Sequence, residues 1–130
     1  GGEEAGLVGS KFFVENPIFK LKKIEFLVNL DIMGSGEDGI TVVNGTLFKK
    51  QFDLLQTINE EKNLLTKIKI RGPAANSDHY WFTEKGVPAI FIYTMGPNKH
   101  YHDVFDAYEE LSFSEYDDIT TLLIEFVKRL

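Results

Sequence analysis

Glu3 and Glu4 stand side by side just before a stretch with helical spacing of apolar residues. Adjacent carboxylates can divide labour, one ligating a metal while the other takes a proton from metal-bound water. Acids are also what the macrodipole favours at a helix start, so the pair alone leaves a structural role open. Asp31 lies at the end of an apolar run, in VNLDIMG, where a carboxylate is costly unless hydrogen-bonded, paired or bound to a metal. His100, His102, Asp103 and Asp106 follow a second apolar run. Imidazole suits zinc and a nearby carboxylate can orient it, but a pair of surface histidines has the same composition. Only one of the two is expected to be a ligand.

Two further patterns carry less. Ser77, Asp78 and His79 are the residue types of a serine-hydrolase triad, yet sequence neighbours rarely supply triad geometry. The segment reads as a helix cap followed by structural polar residues. Gly34, Gly36 and Gly39 match a GxGxxG spacing. A dinucleotide site needs a helix next, whereas a strand-like ITVV follows, and Glu37 and Asp38 would repel phosphate; this is a turn.

Residues 7–15 have helical spacing (Leu7, Val8, Phe12, Phe13), and Asn16-Pro17 stops them. The nearly continuous apolar run 24–32 predicts a strand buried on both faces, as in a parallel sheet. Residues 40–43 predict another short strand, 46–61 a helix, and 65–70 a half-exposed strand. After a loop at 71–76, Ser77 is expected to cap a short helix that Gly86 terminates. Residues 88–93 predict a strongly buried strand. The helix predicted at 116–130 turns Ile119, Leu122, Leu123, Phe126 and Val127 inward. Strands alternating with helices indicate an α/β layered fold, in which chemistry collects at strand carboxyl ends. That puts the residues after Leu27, those after Ile92 and the opening loop on one edge.

Apolar residues make up 43% and Phe alone contributes 11, so the chain can build a core. A net charge of −6 argues against non-specific nucleic-acid binding, and the one basic cluster, Lys20, Lys22 and Lys23, is short. Without Cys there is no disulfide, thiolate ligand or Cys nucleophile. No run approaches the roughly 20 apolar residues of a membrane span. The first residues have no signal-peptide pattern, and the chain opens abruptly, inside what looks like a motif.

Four blocks in order, GEEAGLVGS, NLDIMG, SDHYWFTEKGVPAIFIYT and YHDVFDAYEEL, resemble the co-catalytic dizinc aminopeptidases of the bacterial leucyl aminopeptidase type, relatives of glutamate carboxypeptidases and glutaminyl cyclases. The resemblance runs from the first residues to about Leu111. It implies the carboxy-terminal part of a three-layer zinc-exopeptidase domain, with a mixed, largely parallel sheet flanked by helices and the amino-terminal portion absent. It implies Glu3 as general base, Glu4 and His102 as ligands of one zinc, and Asp31 as a ligand of the other. Asp78 and His79 match a structural motif of the pocket wall, and Tyr93, Thr94 and Tyr101 are candidates to line the substrate pocket. The implied reaction is hydrolysis at the free amino terminus of a peptide, with an exported location.

The family pattern also needs an upstream His-x-Asp, which these 130 residues lack. The expectation is therefore a fragment of a longer protein, inactive alone and partnered by the missing part of its own domain. The rival readings are an interaction domain that has kept the fold, and an acyl-transferring relative of the glutaminyl cyclase kind.

Overall fold

The computed structural model describes residues 1–98, 100, 102 and 104–130. Its centre is a four-stranded sheet in the order β1-β4-β2-β3, built from β1 (Leu27–Leu30), β2 (Ile40–Val43), β3 (Ile68–Ile70) and β4 (Ala89–Thr94). β1 runs parallel to β4 and β2 parallel to β3, while β2 and β4 are antiparallel. The sheet is thus mixed, as expected. Four helices flank it: α1 (Val8–Glu15), α2 (Lys49–Lys62), α3 (His79–Glu84) and α4 (Tyr116–Arg129).

Alternation along the inner strands makes two packed faces. Ile40, Val42, Ile90 and Ile92 join Phe52, Leu55 and Ile58 of α2 and Ile119, Leu122 and Phe126 of α4 in one core. The other face carries Phe91, on which the His79 ring of α3 stacks at 5.3 Å, and α1 lies beyond it through the Phe13–Phe82 ring contact at 5.7 Å. Three layers result. No helix among the described residues is long and apolar enough to cross a membrane.

Three expectations need correction. The run 24–32 forms a strand of only four residues, and it is half-buried because it has a single neighbour, β4, within these residues. Val127 is 62% exposed. At roughly 100° per residue it lies about 140° round the helix from Leu122 and so leaves the core face. Ser77 caps nothing; its hydroxyl is engaged across the sheet, as described below.

The turn at 34–39 is a turn indeed. Gly39 has φ +91°, and a Cβ there would run into the Lys67 carbonyl, so the position needs glycine. The parallel pairing of β1 with β4 has the larger consequence: both strands deliver their carboxyl ends to the same edge, with Leu30 opposite Ile92.

Candidate functional site

Asp31 is the first residue beyond β1, and its N–H still reaches the Ile92 carbonyl at 3.3 Å. The chain then bends sharply, because Ile32 has φ +57°. A β-branched residue in the left-handed region is strained by about 1–3 kcal/mol and must be held by its surroundings. Thr94 is the clamp: its N–H and its hydroxyl both donate to the Ile32 carbonyl, at 3.1 and 2.8 Å.

The Asp31 side chain is held as well. Asn29 and Asp31 are two residues apart and share a face of the strand. The Asn29 amide donates to the Ser77 hydroxyl at 2.7 Å, and that hydroxyl donates to Asp31 Oδ2 at 2.9 Å. Ser77 is 1% exposed, so the relay is shielded from water at its middle, while Asn29 and Asp31 are half-buried. One carboxylate oxygen of Asp31 is thereby fixed.

Glu3 and Glu4 lie on a turn that leads into α1. The Glu3 carbonyl accepts from the N–H groups of Gly6 and Leu7, at 3.0 and 2.8 Å, and Leu7 at φ 59° closes the turn. Glu4 Oε2 stands 3.8 Å from His102 Nδ1, with both side chains largely exposed. His102 is itself left-handed, at φ 62°. The opening loop, the end of β1 and the His102 segment therefore each contain a left-handed non-glycine residue.

These segments act on one another electrostatically. The Glu3 carboxyl is raised above its ordinary value, first by partial removal from water and then by the negative charges of Asp31, Glu4 and Asp78; His102 acts the other way. Glu3, Glu4, Asp31, Asp78 and His102 thus form one electrostatic neighbourhood. Asp78 Oδ1 is shut off from water and has no hydrogen-bond partner among the described residues. A gathering of like charges is unfavourable in isolation and suits a cation.

Among the described residues no three His, Cys, Asp or Glu side chains converge closely enough to hold a metal ion. The donor chemistry still fits zinc in part: an imidazole with a carboxylate at His102 and Glu4, and at Asp31 a carboxylate already oriented by a hydroxyl. The pocket candidates separate. Thr94 lines a cleft of about 330 Å³ with Ile32 and Asp106. Tyr93 instead accepts a hydrogen bond from Arg71 Nη1 at 3.3 Å. Tyr101 lies outside the described residues. His79 is buried and engaged with Phe91, apart from Ser77, so Ser77, Asp78 and His79 form no triad.

Sequence reasoning missed Asn29 and Ser77 as supports of Asp31, and the participation of Asp78. The two-residue spacing of Asn29 and Asp31 was a usable signal for the first; nothing local marked Ser77.

Two predictions follow from these contacts. Ser77→Ala leaves Asp31 and the Asn29 amide each short of a buried partner and is expected to destabilise the fold by about 1–3 kcal/mol in urea unfolding. His79 is 1% exposed, with both ring nitrogens closed off from water. Burial pushes its pKa below the ordinary 6.5, with the Ala74 backbone and Asp78 acting the other way. The unfolded chain then binds more protons below about pH 6.5, so stability is full above that value and falls with acidification, by up to about 1.4 kcal/mol per pH unit. Unfolding curves from pH 8 to 5 should lose this slope in His79→Phe, which keeps a ring on Phe91.

The sequence profile of Peptidase family M28 matches residues 1–127. The fold is similar to that of BSAP, a zinc aminopeptidase from Bacillus subtilis, with TM-score 0.80 and 24% identity over 99% of this chain and 34% of that one. It is similar to the aminopeptidase from Aneurinibacillus sp. strain AM-1, with TM-score 0.73 and 23% identity over 98% of this chain and 31% of the other. The glutaminyl cyclase of Porphyromonas gingivalis has TM-score 0.70 and 19% identity, over 99% of this chain and 50% of that one. The chain spans about a third of the length of the two aminopeptidases. The match to the profile takes in the Glu3–Glu4 turn, the end of β1 and the His102 segment together, and the chain belongs to peptidase family M28.

Proposed function

We propose that this chain supplies the proton-transferring carboxylate and part of the metal site of a zinc-dependent aminopeptidase, which removes amino-terminal residues from peptides. The observation that carries the reading is the electrostatic gathering of Glu3, Glu4, Asp31 and His102 at one sheet edge, with the Glu3 carboxyl raised by burial first and then by Asp31, Glu4 and Asp78. In this reading Glu4 and His102 would hold one zinc ion and Asp31 a second. Zinc, when bound, supplies a Lewis acid and a water of lowered pKa.

The chain's own residues have separable roles. Glu3 holds the proton taken up during hydrolysis and returns it to the leaving amine; a carboxyl raised toward the working pH suits that exchange. Ser77 and Asn29 orient Asp31. Residues 1–130 contain no His-x-Asp, so on this reading the ligand set is completed from outside them and these residues alone are inactive.

A glutaminyl cyclase is the second reading, supported by the fold likeness to the Porphyromonas gingivalis enzyme. An interaction domain that has merely kept the fold has no need of the Glu3, Glu4, Asp31 and His102 set. In the protein that carries this chain, Glu3→Gln should lower hydrolysis of an aminoacyl amide by about 10²–10⁴-fold with an unchanged unfolding curve. Undiminished hydrolysis would remove Glu3 from the mechanism. Cyclisation of a peptide with amino-terminal Gln, without hydrolysis of the amide, would select the second reading.

A further inference from the structure

A cleft of about 330 Å³ opens beside the candidate site. Its lining begins at Ile32, the residue after Asp31, continues through Thr94 and Met95 beyond β4, and includes Leu111. Asp38 and Asp106 also line it, both exposed, and Asp106 is four residues past His102. No Lys or Arg is among its described lining residues. A neighbouring cleft shares Ser35 and Asn98 and adds Glu37, whose carboxyl is held below its ordinary value first by a hydrogen bond from Ser112, with Ser114 adding to it.

Acidic residues on a surface are ordinarily a solvated face. Here they line a concavity whose wall continues directly from Asp31, and apolar side chains share that wall. An alkyl stem lies well against Ile32, Met95 and Leu111, while carboxylates at solvent-exposed positions receive a positive head. Lys and Arg side chains have that division, an apolar stem with a charged tip kept near water. A leucine side chain would use the apolar wall and leave both carboxylates without a partner.

We propose that this cleft receives the side chain of the substrate's amino-terminal residue and selects lysine or arginine there, with Asp38 and Asp106 as the specificity-determining groups. The proposal rests on the peptidase reading for what the ligand is, and is measurable without turnover. Long-range attraction of this kind weakens with salt, because both carboxylates are exposed.

The test is a titration of the protein with L-lysinamide and with L-leucinamide, which share a free amino group and an amide and differ in the side chain. The amide signals of Thr94 and Leu111 report binding by NMR. The expected result is tighter binding of lysinamide by roughly fivefold, the order set by two solvent-screened ion pairs. That preference should shrink in 0.5 M NaCl and fall toward unity in Asp38→Asn/Asp106→Asn, with signals elsewhere unmoved. Equal affinities, no saturable shift with lysinamide, or a preference that survives the double substitution would overturn the proposal. Because binding needs no hydrolysis, failure here and failure of the Glu3→Gln assay are separate results.

Discussion

Holding Glu3, Glu4, Asp31 and Asp78 near one another at one edge of the sheet is the constraint that the candidate site has to meet. Partial removal from water, and after it the charges of Asp31, Glu4 and Asp78, make it harder for Glu3 to lose its proton, while His102 acts the other way. Left to themselves, such groups would move apart into water, where their interaction is weak. The backbone bends at three places beside them. Leu7, Ile32 and His102 all adopt the left-handed conformation that non-glycine residues rarely take.

The fold meets the demand with few elements. Parallel pairing of β1 with β4 brings Asp31 and Thr94 to one edge, where Thr94 secures the strained Ile32 carbonyl. The six-residue α3 is short, but the segment just ahead of it carries Ser77 to Asp31, and the His79 ring stacks on Phe91 beneath. The largest core lies on the opposite face, between the sheet, α2 and α4. The two faces are thereby divided: one supplies most of the apolar burial, while α3 ties the other to the edge that carries Asp31. The burial of His79 makes that tie sensitive to acid.

Much of the architecture was legible in the sequence because its periodicity is strong. β2 and β4 are short apolar runs that prove almost wholly buried, and α2 places Phe52, Leu55 and Ile58 inward at helical spacing. What failed was tertiary. An apolar run cannot tell whether it has one neighbour or two, so β1 was expected to be buried on both faces. Hydrophobicity alone placed Val127 inward, although the helix turns it out. Ser77 has a capping residue's identity, yet a hydrogen bond to a residue 46 positions away determined its use. At the candidate site, ordered motifs single out Glu3, Glu4, Asp31 and His102, which the structure brings into one electrostatic neighbourhood, whereas Asn29 and Ser77 act through long-range contacts that no local pattern announces.

A zinc titration followed by NMR, reading the backbone amides and the histidine ring signals, tests most directly whether this edge is built around a cation. The account predicts that the His102 ring and the amides of Glu3 and Glu4 move together along one saturating curve that His102→Ala abolishes, while the Asp31 amide, beside the place of a second ion, follows a curve of its own. A response centred on other surface acids, or no saturable response at these positions, would contradict it.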